Sequence, residues 1–174
     1  MGAADDRVRD EVDAMAAAWE RDGLPPSVIT LTMLSKRVAR LNQMFEHAAR
    51  AELVEIGLTY AEFDVLAALR RVGEPYRLRP SELARSLYLT SGGTSNVLQR
   101  LTKAGYVERE PNPGDARSRW VQLTPDGLDI AETALNAVIR SHGEAMAGVP
   151  EEALHRAADA LREITAVVGR RRYR

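Results

Sequence analysis

The chain has 174 residues, a net charge of −1 and no cysteine. That length suits one domain with a sizeable core, and the lack of cysteine excludes disulfide staples, a thiol redox sensor and thiolate metal sites together. Charges interrupt every apolar stretch well short of a bilayer span, and Met1 to Arg9 lack the apolar core of an export signal, so the expectation is a cytoplasmic chain with no membrane segment.

Taken in order, segment 5–21 places Val8, Val12, Met15 and Trp19 at helical spacing and is stopped by Gly23-Leu-Pro-Pro26. Ser27 is a candidate N-cap for a long second helix. There Leu31, Leu34, Val38, Leu41, Phe45 and Ala48 step by three and four, a seam for another helix of the same chain or of a partner. Thr59-Tyr-Ala-Glu62 is a capping box and opens a helix to about Arg71. After Gly73-Glu-Pro75, the run Arg79-Pro80-Ser81-Glu82 starts a short helix carrying Leu83, Ala84 and Leu87. Thr90 or Ser91 then caps another, with Val97, Leu98 and Leu101 inward and Gly105 as its left-handed stop. Two helices across a tight turn of small residues form a helix-turn-helix pattern.

From Tyr106 the period changes. Tyr106–Glu110 and 118–123 read as two strands joined by Pro111-Asn-Pro-Gly-Asp115, which is dense turn chemistry. A hairpin directly after a helix-turn-helix is a wing. Thr124-Pro125-Asp126 opens a further helix striped by Ile130 or Ala131, Leu135, Val138 and Ile139. Val149-Pro150-Glu-Glu152 starts the last, striped by Leu154, Ala158, Leu161, Ile164 and Val168 and ended by Gly169.

Charge is distributed to match. From Arg77 to Arg119 there are eight Arg or Lys against four Asp or Glu, so the rest of the chain carries a net −5. A net charge near zero therefore hides a basic centre between acidic arms, the asymmetry that a nucleic-acid partner favours. Enzyme chemistry finds no foothold. His47, His142 and His155 fall on three different helices without metal-ligand spacing, and Gly92-Gly93 opens a helix after a helix rather than after a strand. No catalytic residue, metal site or cofactor is expected.

The run Asp115-Ala-Arg117-Ser-Arg119-Trp-Val-Gln-Leu123-Thr124-Pro-Asp-Gly127 resembles the wing signature of the MarR family of bacterial transcription regulators, Asp-x-Arg followed by Leu-Thr-x-x-Gly. Leu101-Thr-Lys-Ala-Gly105-Tyr-Val-Glu-Arg109 is similar as well, and the resemblance spans about Ser27 to Val168. It implies a mainly α single domain over 1–174 with a small β-wing. Helices within 5–50 and 125–169 would build a homodimer around a winged helix-turn-helix module at 59–124. It further implies a repressor that binds a pseudo-palindromic operator in duplex DNA and is released by a small aromatic or anionic effector. The alternative is a winged-helix interaction module that works through its helical dimer surface without specific DNA binding.

A recognition helix enters the groove by its N-terminal end, so Ser91, Gly92, Thr94, Ser95, Asn96, Gln99 and Arg100 are the candidate groove contacts. Asn and Gln can pair bidentately with adenine, and Arg with guanine. In the wing, Arg117 is the candidate for the minor groove and Arg119 faces a similar way. Arg79 is a candidate phosphate contact. A solvated tail is the preferred reading of Arg170, Arg171, Arg172 and Arg174.

The urate-responsive subgroup of the family has an extra N-terminal helix with a Trp, which Trp19 matches, while Asp64 and Arg109 stand where that subgroup has a ligand-site acid and Arg. An indole face and a guanidinium fork suit an aromatic anion. The subgroup also has an Arg after the Asn of the recognition helix. Here that position is Val97, a departure that bears on both its relay and urate as ligand. The other reading has Trp19 packing its helix onto the body, Arg109 on a strand surface and Asp64 pairing locally.

Overall fold

The computed structural model describes residues 9–87, 91–111 and 119–169. The chain starts with α1 (Glu11–Arg21), whose N-cap is Asp10 in a reciprocal capping box with Asp13. Any helix expected over residues 5–8 lies outside the described residues, and Arg9 and Asp10 precede the helix. The long α2 (Pro26–Ile56) is capped not by Ser27 but by Pro25 in extended conformation, with Pro26 at the first helical position. A proline there loses no hydrogen bond, because that N–H has no partner within the helix anyway. Gly57, at φ 79°, ends α2 in the left-handed region, and α3 (Tyr60–Arg71) follows under the expected Thr59–Glu62 box.

The winged module then unfolds in sequence: β1 (Arg77–Leu78), α4 (Pro80–Ser86), α5 (Ser91–Lys103), β2 (Val107–Pro111) and β3 (Arg119–Leu123). Strand β1 was not expected, since two residues carry no periodicity. It pairs antiparallel with β3, which pairs with β2, giving the sheet order β1-β3-β2. Helices α6 (Pro125–Ala145) and α7 (Glu151–Val168) complete the chain. Among the described residues no helix is long and apolar enough to cross a membrane.

The core lies between α2, α3, α5, α6 and the sheet. Leu53, Leu66, Leu69, Leu83, Leu98, Leu101 and Val121 are wholly buried, each contributing about 1.5–3 kcal/mol relative to exposure. One joint fixes the wing to α6. The Thr124 hydroxyl donates to the Gly105 carbonyl at 2.7 Å and accepts from the Gly127 N–H at 3.0 Å. The Thr124 N–H donates to the Tyr106 carbonyl at 3.1 Å. A Cβ on Gly127 would stand 1.8 Å from that Tyr106 oxygen. The Leu-Thr-x-x-Gly run is therefore a packing motif: Thr ties the strand end to the helix cap, and Gly lets the two backbones touch.

The terminal helices behave differently. The seam expected on α2 is not filled within the chain: Leu31 is 67% exposed, and Val38 and Leu41 are also exposed. On α6, Ala131, Ala134 and Val138 are buried, but Ile139, expected in the stripe, faces out. No residue of α7 is buried.

Candidate nucleic-acid interface

Helix α5 has two faces set by its period. Thr94, Val97, Leu98 and Leu101 fall at i, i+3, i+4 and i+7 and are all buried. Gly92, Ser95, Asn96, Gln99 and Arg100 are exposed. Thr94, expected among the groove contacts, is 2% exposed and belongs to the inner face. The same spacing rule that marked Val97, Leu98 and Leu101 would have placed it there. Ser91 is the first residue of the helix.

The wing stands on one flank of α5. Arg119 is exposed at the start of β3, opposite Pro111 in the register. Arg117 lies outside the described residues. Strand register also decides where Arg109 goes. It pairs with the buried Val121, so its side chain is on the sheet face turned towards α5. There it lines a recess of about 260 Å³ with Pro80, Ala84, Ser95 and Leu98, and an adjoining groove of about 640 Å³ with Ser95, Gln99 and Lys103.

Arg79 sits at the N-cap of α4, its backbone N–H donating to Glu82 at 2.7 Å. Its guanidinium carbon lies 5.1 Å from the centroid of the Trp120 ring, and that of Arg77 lies at the same distance. Trp120 alternates outward from the buried Val121, so the indole is a platform that holds two cations by cation–π attraction at the outer face of the sheet. Arg77 also stands 3.6 Å from Glu110. Sequence reading gave Trp120 no role. Its place in the alternation was the available signal, but of its two partners Arg77 comes from a strand too short to recognise and Arg79 from the cap of α4.

Of the three residues grouped as a ligand site, Arg109 lines the two recesses beside α5. Neither Trp19 nor Asp64 lines the two cavities at Arg109. Trp19 is half-buried on α1, a helix clasped to α2 by Arg37, which donates to Asp10 and Asp13 at 2.9 Å, and by an Arg40–Glu11 ion pair. Asp64 is half-buried on α3. Burial first, and then the neighbouring charge of Glu46, push its carboxyl above the ordinary carboxylate range. The Tyr60 hydroxyl is pushed up too, by burial and then by Asp64.

Comparison with known proteins identifies this architecture. Residues 56–118 match the model of the MarR family. The transcriptional regulator PecS of Dickeya dadantii is 31% identical over 134 residues, covering 77% of this chain and 78% of PecS. The chain belongs to the MarR family. MarR of Salmonella typhimurium is 34% identical over 99 residues, covering 57% of this chain and 67% of that protein. Among solved structures, a mutant MarR from E. coli complexed with operator DNA superposes with a TM-score of 0.68 at 28% identity, covering 75% of this chain and 92% of the other. AbsC of Streptomyces coelicolor, at 23% identity and a TM-score of 0.72, shares the fold over 85% of this chain and 98% of its own. The MarR family is one of transcription regulators, and the mainly helical architecture with a small antiparallel sheet is its winged-helix fold.

Proposed function

We propose that this chain is a homodimeric repressor, working in the cytoplasm, that binds a pseudo-palindromic operator and is released by a small aromatic or anionic ligand. The observation that carries the reading is the division of α5. Its inner face is locked into the core by Thr94, Val97, Leu98 and Leu101, so the polar outer face of Gly92, Ser95, Asn96 and Gln99 is presented rigidly beside a wing. Ser91 opens that helix, Arg117 and Arg119 serve the minor groove, and Arg79, held against Trp120, serves a phosphate. The MarR complex with operator DNA, made by a relative of the same fold, supports this assignment.

The dimer reading is supported by α7. Leu154, Ile164 and Val168 on its apolar side are 40%, 39% and 37% exposed, a stripe suited to a second copy. The effector reading now centres on Arg109. The recess it lines has apolar walls and one guanidinium, the chemistry for an aromatic carboxylate or phenolate, and it borders Ser95 of the recognition helix. In this reading Trp19 and Asp64, which do not line that recess within one chain, reach it from the partner subunit or serve packing instead.

The test is titration of a labelled duplex from immediately upstream of the protein's own gene, in a salt series, followed by aromatic acids and purines. Tight binding at dimer stoichiometry that weakens steeply with salt is the expected result. Equal, weak binding to all duplexes would instead favour the interaction-module reading.

A further inference from the structure

One polar residue of α5 leaves the face just described. At about 100° per residue, Gly92, Asn96, Gln99 and Lys103 form a single stripe, and Ser95 leans towards Arg109. Arg100 lies about 80° round from Gly92 on the opposite flank, towards α3, and its guanidinium is engaged there. Its Nε is 3.0 Å from Glu62 Oε1, and its Nη2 donates to Thr59 Oγ1 at 3.5 Å. The other carboxylate oxygen of Glu62 accepts from the Thr59 N–H at 2.8 Å and the Thr59 hydroxyl at 2.7 Å. The capping group of α3 is thus also an anchor of α5.

The pair is asymmetric. The Glu62 side chain is 12% exposed and that of Arg100 is 56%. A nearly buried carboxylate holds its cation more firmly than a fully exposed one does, because less water competes for it. On its other flank α5 borders the two open recesses at Arg109.

We propose that Arg100 is a positioning residue rather than a reader of DNA: gripped by Glu62 at the cap of α3, it sets the pitch at which α5 presents Asn96 and Gln99. This rests on the DNA-binding reading above. The experiment is a double-mutant cycle on operator affinity with Arg100→Ala, Glu62→Gln and both together. Glutamine keeps an oxygen for the Thr59 N–H, so α3 keeps its cap, and circular dichroism checks that each variant is folded. Both single variants should bind the operator about tenfold more weakly, and the double variant no more weakly than either, because they break one interaction. The dependence of affinity on salt should match the wild type, since no phosphate contact is lost.

Two other outcomes overturn the proposal. One is a weakened Arg100→Ala whose log–log salt slope falls by about 0.9 while Glu62→Gln binds normally, which makes Arg100 a direct contact. The other is no change in either variant. A wild-type chain that binds no duplex overturns the DNA-binding reading itself, and this inference with it.

Discussion

Among the described residues of the winged core, most large apolar side chains find partners inside the chain, and Val65, Leu66, Leu69, Leu83 and Val121 are wholly buried. On α7 and the first half of α2 the apolar residues are as regularly spaced, yet Leu31, Leu41, Ile164 and Val167 remain 39–67% exposed. The same helical period therefore serves two ends. In the core it specifies how one chain folds on itself, and in the arms it leaves an apolar surface that the described residues do not cover. A periodic stripe reports that a helix has an apolar side, but not which molecule will bury it.

The contrast can be broken most severely at the joint between wing and α6. Gly127→Ala sets a methyl group 1.8 Å from the Tyr106 carbonyl, and backbone on both sides cannot step aside. A loss of about 3 kcal/mol is expected in urea unfolding. An unchanged midpoint would mean that the close approach is not needed. The opposite result is expected on the arm. Leu161→Glu combined with Ile164→Glu should convert the proposed dimer to monomers in sedimentation while leaving the far-ultraviolet spectrum almost intact, because no α7 residue is buried in the chain. Unfolding of the whole chain would show that α7 belongs to the core after all.

The smallest effect concerns α1. The Arg37 guanidinium, then backbone N–H groups at the start of the helix, hold the Asp10 carboxyl down at about 2 against an ordinary 3.8. A lowered carboxylate favours the docked helix above the ordinary value, and this contribution is lost as pH falls from about 4 through about 2. Trp19 emission should therefore shift over that window, ahead of the core transition, and Asp10→Asn should lose the shift. Both partners are exposed, so the change will be slight. A titration unaltered by the substitution would leave α1 held by packing alone.

The sequence by itself settled the elements whose ends are marked by local chemistry. The Thr59–Glu62 box, the left-handed Gly105 and Thr124-Pro125 are set by a few adjacent residues, so the fold class, the helix-turn-helix and the wing could all be read in advance. Where a start depended on which unpaired N–H was missing, as at Pro25 and Pro26, the boundary moved. Tertiary structure alone decided the relations between distant segments. Strand register turned Arg109 towards α5, and a two-residue strand brought Arg77 beside Trp120. The crossing of α3 and α5 gave Arg100 to Glu62. Periodicity fixes the side of an element on which a residue lies, but a partner is fixed by the distance between elements, and that distance emerges only once the core has packed.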